Sequence, residues 1–375
     1  MSSLFIGLMS GTSLDGVDGV LVDFAPADPS QVLSVAAHVH RPFEAVLVDE
    51  LLALNRAGAD ELHRAALAAN ALARVYADVV TALLASAGVA ASRVQAIGAH
   101  GQTVRHRPRE FDGVGYTLQL NSPALLAELC AIDVVADFRS RDVAAGGQGA
   151  PLVPAFHRAV FARTGEAMAV LNIGGISNLT ALDTDGAALG FDCGPGNALM
   201  DHWCRQHRGE PFDRDGAWAA SGRVDGPLLA RMQAEPYFSL PPPKSTGRDL
   251  FNASWLGAML GSAQAAIAPA DVQATLAELT AWACSAAVRT CASGARSLLV
   301  CGGGAYNRHL MARLGAHLPD MAVRPTDEAG LPADQVEAAA FAWLAKAFID
   351  RQPGNLAAVT GAQGPRVLGA FYPAR

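Results

Sequence analysis

The chain has 375 residues, 51% of them hydrophobic and 17% charged, with a formal net charge of −7. That length exceeds what one core supports and predicts two or three domains with a cleft available between them; the apolar content excludes extensive disorder. The negative balance excludes the clustered positive field of a nucleic-acid or anionic-membrane surface, which leaves small molecules as the expected partners.

In chain order, Ser3 to Met9 and Val17 to Phe24 read as strands, the second alternating apolar residues at Val20, Val22 and Phe24; Val32 to His38 adds a third. The opening MSSLFIGLMSG has no basic region and too short an apolar run for a signal sequence, and no apolar stretch is read as a membrane span, so a cytoplasmic protein is expected. Helical patterns follow over 43–54 and over the Ala-rich 60–87, and RVQAIGAHGQT then reads as a strand running into a polar glycine loop. PALLAELCAIDVVADF reads as helix then strand, and the first half therefore predicts a mixed sheet flanked by helices. The stretch 139–154, RSRDVAAGGQGAPLVP, concentrates glycine and proline and is the expected crossing between domains.

The second half repeats the theme. AMAVLNIGGISNLTAL reads as strand, glycine turn and strand, and ALGFDCGPGNALMDHW as strand, loop and helix. RSLLVCGGGAYNRHLM is strand, glycine run and helix, set between long helices at 271–292 and 332–349. EPYFSLPPPKSTGRDLFN breaks helix at its prolines and is expected to be an exposed or lid-like connection. The six cysteines show no paired spacing for zinc or a disulfide framework and read as buried reduced thiols.

Each half thus opens on a hairpin with a Gly-rich, hydroxyl-bearing turn. Two such turns across a cleft would surround a phosphate chain with N–H donors. In the first, Gly11, Gly16 and Gly19 allow close approach and Ser10, Thr12 and Ser13 supply donors. Asp15 and Asp18 would repel a bare phosphate unless Mg²⁺ lies between them; alternatively, S-G-T-S and D-G are ordinary turn formers. Neither a GxxxxGK loop nor a GxGxxG opening a dinucleotide-binding unit occurs, and the glycines of GGGAYN serve either nucleotide contact or close packing. Asp192, after a strand and before CGPGN, suits a general base or a helix cap, a job Asn197 could take instead. Lys244, Ser245, Thr246 and Arg248 either grip phosphate or form a solvated basic turn, and His106, His202 and His207 read as surface residues.

Together GLMSGTSLDGVD, HGQTVRH, DFRSRDVAAGGQGAPLVP, NIGGISNL, GFDCGPGNALMD, PPKSTGRDLFN and GGGAYN resemble the 1,6-anhydro-N-acetylmuramic acid kinase family over residues 6–344. The resemblance implies an α/β, two-lobed actin-like ATPase fold, related to acetate and sugar kinases and Hsp70, each lobe a ribonuclease-H-like mixed sheet with helices. It implies an N-terminal lobe of residues 1–140 joined by 345–375, carrying the phosphate hairpin. Residues 141–344 form the C-terminal lobe, with the second hairpin, the catalytic Asp and the adenosine-binding loop. The implied reaction has water open the anhydro bridge while O6 takes the γ-phosphate of ATP, giving N-acetylmuramic acid 6-phosphate and ADP in peptidoglycan recycling and amino-sugar catabolism.

Carried over by motif, Gly11, Thr12, Ser13, Leu14, Asp15, Gly16, Val17 and Asp18, with Gly174 and Gly175, meet the ATP phosphates, and Asp15 and Asp18 hold Mg²⁺ through water. Gly302, Gly303, Gly304 and Asn307 meet the adenosine. Asp192 becomes the catalytic base. His100, Gln102, Arg139, Arg141 and Glu337 line the sugar pocket, one arginine pairing with the lactyl carboxylate, although Glu337 also reads as a first-turn carboxylate favoured by its helix dipole. Where the family has a hydroxyl residue after the catalytic Asp, this chain has Cys193, a change expected to tune activity rather than abolish it. A homodimer is expected from the family alone. Of the rival classes, an Hsp70- or actin-like conformational ATPase would need a polymer- or peptide-binding appendage, and an ATP-independent anhydrosugar hydrolase would turn over without nucleotide.

Overall fold

Phe5 and Gly7 on one side of the first strand, and Ile6 and Leu8 on the other, are all buried, so this strand must be covered on both faces. The computed structural model describes residues 3–11, 13–28, 31–242, 244–247, 250–261 and 267–375. The chain divides into unit 1, Met1–Val160 with Gln335–Arg375, and unit 2, Phe161–Asp334.

In unit 1, β1 (Leu4–Met9), β2 (Gly16–Asp23) and β3 (Ser34–Pro42) form an antiparallel meander. On the other edge of β1, β4 (Val94–Ala99) adds in parallel. A separate two-stranded ladder follows, β5 (Gln102–Pro108) with β6 (Gly115–Leu120). Then β7 (Val134–Ala136) joins β4, and the last strand, β13 (Ala370–Tyr372), pairs antiparallel with β7. The main sheet therefore runs β3-β2-β1-β4-β7-β13.

Helix Glu61–Ala87 sets Leu72, Tyr76, Val79, Val80 and Leu83 at helical spacing against Ile6, Leu8, Leu21 and Ile97. By length and composition this helix is apolar enough to cross a membrane, contrary to the expectation that no stretch would be; those five side chains lie in the core of unit 1. On the opposite face helix Val336–Ile349 meets the sheet through small residues. Gly7 and Gly98 are register partners on β1 and β4. A Cβ at Gly7 would lie 1.9 Å from the Ala338 carbonyl, and one at Gly98 2.0 Å from the Phe341 carbonyl. Only glycine at both positions lets the helix backbone rest directly on the sheet.

Unit 2 repeats the order. β8 (Met168–Ile173), β9 (Ile176–Leu182) and β10 (Ala188–Pro195) form a meander, and β11 (Ser297–Cys301) and β12 (Ala322–Pro325) extend β8 in parallel, giving β10-β9-β8-β11-β12. Helix Pro269–Cys291 packs on β9 and β10. A three-strand meander followed by two parallel strands is the ribonuclease-H-like order, so both units have the expected core and the chain has the actin-like ATPase fold. Two local expectations fail. The glycine loop after β4 becomes the β5–β6 ladder, whose polar residues conceal its period, and the stretch 139–154 contains a short helix, Ser140–Ala144.

Candidate active site

Six residues, Ser10–Asp15, join β1 to β2, with Leu14 turning the chain at φ +59°. Ser10, expected to be a phosphate donor, is buried: its Oγ donates to the Gly101 carbonyl at 3.1 Å and pairs with the Tyr76 hydroxyl at 2.9 Å. The side chains of Leu14 and Val17 are also buried in apolar clusters, so only their backbones are left for a ligand. Thr12 lies outside the described residues. Ser13 Oγ donates to Asp15 Oδ1 at 2.6 Å. Asp18 Oδ1 accepts from His40 Nδ1 at 2.9 Å and His38 Nε2 at 3.3 Å, both on β3. Neither histidine was singled out from the sequence, although the β2–β3 register sets Asp18 opposite His40.

Four of the five sugar-pocket candidates lie close to this hairpin or to one another. His100, 5% exposed, donates from Nδ1 to the Ser10 carbonyl (3.1 Å) and accepts at Nε2 from Arg139 Nη2 (2.9 Å). Burial and the adjacent Arg139 push its pKa down to about 3, so the ring is neutral with its tautomer fixed by these bonds. Arg139 also donates from Nη1 to the Gly149 carbonyl (2.8 Å), and burial lowers its pKa to about 10 against the pull of Glu337 and Asp142. Gln102 donates from Nε2 to the Gly11 carbonyl (3.0 Å) while its Oε1 is buried without a partner among the described residues. Glu337 does sit in the first turn of its helix, and its carboxyl is raised by burial and by Asp18 and Asp15, with Arg139 opposing. Arg141, on the short helix that follows Arg139, is exposed.

Two residues of the same neighbourhood were misjudged. His106, expected at the surface, is half-buried with Nδ1 on Thr117 Oγ1 (2.9 Å), its pKa lowered to about 4 by burial and then by Arg139. Asp142, not singled out, is fully buried: Oδ2 accepts the Gly149 N–H (2.8 Å) and Oδ1 accepts from Asn355 (2.6 Å) and Thr360 (2.7 Å). It holds the turn carrying Gly149 and hence the Arg139 anchor.

In unit 2, the turn Gly174–Gly175 is clasped by backbone bonds from Gly196, Asn197 and Ala198. Gly302, at φ +77°, lies where a Cβ would come within 2.4 Å of Asn172 Oδ1, so the glycine run packs directly on the end of β8. Gly303 and Gly304 continue into a short 3-10 turn, and Asn307 caps helix Arg308–His317 by accepting the Leu310 N–H (3.0 Å).

Asp192 lies on β10 where the register slips between Asp192 and Gly194, making Cys193 the extra residue of a β-bulge, a device that re-aims neighbouring side chains. The helix beyond it begins only at Ala198, so Asp192 is not its cap. Its Oδ2 accepts the Thr246 N–H at 2.9 Å, and its own N–H donates to the Lys244 carbonyl at 3.1 Å. Burial raises its pKa to about 6, partly offset by the Thr246 bond. The segment expected as an exposed connection is therefore strapped to this aspartate, with Tyr237 and Phe251 buried beneath it. Lys244 is half-buried rather than a freely solvated cation, since Nζ donates to the Tyr237 and Phe238 carbonyls (3.1 and 3.2 Å). Arg248 lies outside the described residues. Cys193 is buried against Cys284, which together with Asp192 pushes its thiol pKa up and makes it a poor nucleophile.

The family model for anhydro-N-acetylmuramic acid kinase matches residues 3–374. The anhydro-N-acetylmuramic acid kinase of Variovorax paradoxus (strain S110) is 66% identical over 376 residues, 99% of this chain and 99% of its own. Those of Albidiferax ferrireducens and Cupriavidus metallidurans are each 60% identical, covering 100% and 99% of this chain and 100% and 98% of theirs. Similarity of this extent along the whole length, on a repeated ribonuclease-H-like core, means that the chain belongs to the anhydro-N-acetylmuramic acid kinase family.

Proposed function

We propose that the chain uses ATP to convert 1,6-anhydro-N-acetylmuramic acid to N-acetylmuramic acid 6-phosphate, with water opening the anhydro ring, as a cytoplasmic step of peptidoglycan recycling. The observation that carries the ring-opening step is Asp192, a carboxylate aimed by a bulge, partly withdrawn from solvent and raised to a pKa of about 6, where it is ionised at neutral pH yet basic enough to take a proton. Water loses a proton to Asp192 as its oxygen bonds C1. The C1–O6 bond breaks, O6 takes the γ-phosphoryl group, and ADP leaves; the proton on Asp192 then passes to solvent. In-line capture of O6 disposes of the charge that a separate acid would otherwise have to neutralise.

The remaining roles follow the family motifs. Gly11 to Asp18 and Gly174–Gly175 offer backbone N–H groups to the phosphates, and Gly302–Gly304 with Asn307 form the adenosine side. The surplus of negative charge around Asp15, Asp18 and Glu337 suits Mg²⁺, which takes one or two carboxylates with phosphate oxygens and water. When bound, the ion would neutralise phosphate charge. Arg139, clamped by Gly149 and His100, is preorganised for the lactyl carboxylate; neutral His100 keeps that charge on the guanidinium alone. Domain roles follow the family expectation, and the homodimer remains part of the proposal.

The test is incubation with the anhydrosugar, MgATP and ¹⁸O-water. A 6-phosphate labelled at C1 is expected; product without label would overturn the ring-opening step.

A further inference from the structure

One buried polar atom beside Asp192, the Thr246 hydroxyl, lacks a partner among the described residues. Asp192, which is partly exposed, takes the Thr246 N–H on Oδ2 and no described bond on Oδ1. In folded proteins buried polar groups are paired, either with protein or with an ordered water. The nitrogen and Oγ1 of one threonine are separated only by Cα and Cβ, about 3 Å, so this hydroxyl stands in the immediate surroundings of the Asp192 carboxylate. Of the side chains nearby, Cys193 is turned to Cys284, and the Tyr237 hydroxyl donates to the main-chain carbonyl of Asp192 at 2.7 Å.

Resting on the kinase reading above, we propose that Thr246 Oγ1 and Asp192 Oδ1 together seat the water that attacks C1, which makes Thr246 a second catalytic residue of the hydrolytic step. The water gives one proton to Oδ1, and its other hydrogen lies on Oγ1, which turns an oxygen lone pair toward C1. As that O–C1 bond forms, C1–O6 breaks and O6 takes the γ-phosphoryl group with departure of ADP. The backbone around Thr246 does not depend on the hydroxyl: the Lys244 carbonyl and the Thr246 N–H both bind Asp192, and Lys244 Nζ fixes the strap to Tyr237 and Phe238. Removing the hydroxyl alone therefore separates seating of the water from placement of the base.

The test compares the wild-type chain with Thr246→Val, which keeps shape and N–H, and Thr246→Ser, which keeps the hydroxyl. With anhydrosugar and MgATP, T246V should lower kcat about tenfold to hundredfold, with both KM values and the thermal midpoint nearly unchanged. T246S should recover most of the rate, and the acid limb of the kcat profile should stay in place in both. Unimpaired turnover in T246V, a loss in T246S as large as in T246V, or an acid limb displaced by T246V would each overturn the proposal. A wild-type chain that forms no 6-phosphorylated product overturns the kinase reading as well, whereas an active wild type with an unimpaired T246V overturns this inference alone.

Discussion

In unit 1, Asp18 on β2 is met across the sheet by two histidines of β3; in unit 2, the carboxylate of Asp192 on β10 is met by one backbone N–H and is partly withdrawn from solvent. The turns differ as well: six residues link β1 to β2, whereas two glycines link β8 to β9. One strand order therefore carries two kinds of carboxylate. A carboxylate surrounded by donors is fitted to hold its place beside a counterion, and one stripped of them is fitted to accept a proton. The irregularities, a long turn in one unit and a bulge in the other, set this contrast, while the regular ladders only support it.

The sharpest way to break this contrast is Asp192→Asn. Turnover should fall about 10²- to 10⁴-fold while titration with a fluorescent ATP analogue still shows binding; retained turnover would remove the base from unit 2. Next comes Gly98→Val, whose side chain would collide with the backbone of helix Val336–Ile349. It should destabilise the chain by about 3 kcal/mol in chemical denaturation, a loss expected only if unit 1 depends on that close approach.

Acidity gives a third test. Asp192 is raised from 3.8 to about 6, so between those values the folded chain holds a proton that the unfolded chain releases. Stability contributed by this group is therefore lost as pH rises from about 4 to about 6, whereas activity should climb about tenfold per pH unit over the same range. Parallel melting and kcat profiles check the opposite signs. Smallest is His40→Ala, which removes a donor from Asp18. It should raise the KM for MgATP about threefold to tenfold and leave the acid limb of kcat in place; movement of that limb would dissolve the distinction between the two carboxylates.

Much of this was legible in the chain itself. The apolar run LFIGLM and the alternation at Val20, Val22 and Phe24, with glycine turns after β1, β8 and β11, marked the strands of both meanders, and the motifs marked Asp192. What escaped notice depends on partners distant in sequence. Asp18 and its histidines meet through a register that no local pattern displays, and Thr246 reaches Asp192 from 54 positions away. The β5–β6 ladder was lost because Gln102, Thr103, Arg105 and His106 carry no apolar period. His106 looked superficial among charged neighbours, yet the fold sets it beside Arg139.

Asp142 carries a consequence for synthesis of the chain. Its partners Asn355 and Thr360 follow 213 and 218 positions later, so the turn that anchors Arg139 cannot be fastened until those residues have left the ribosome. The cluster of Arg139, His100 and Gly149 in unit 1 is then among the last features to mature, and a nascent chain stalled before residue 355 would carry the β1–β2 hairpin without that anchor.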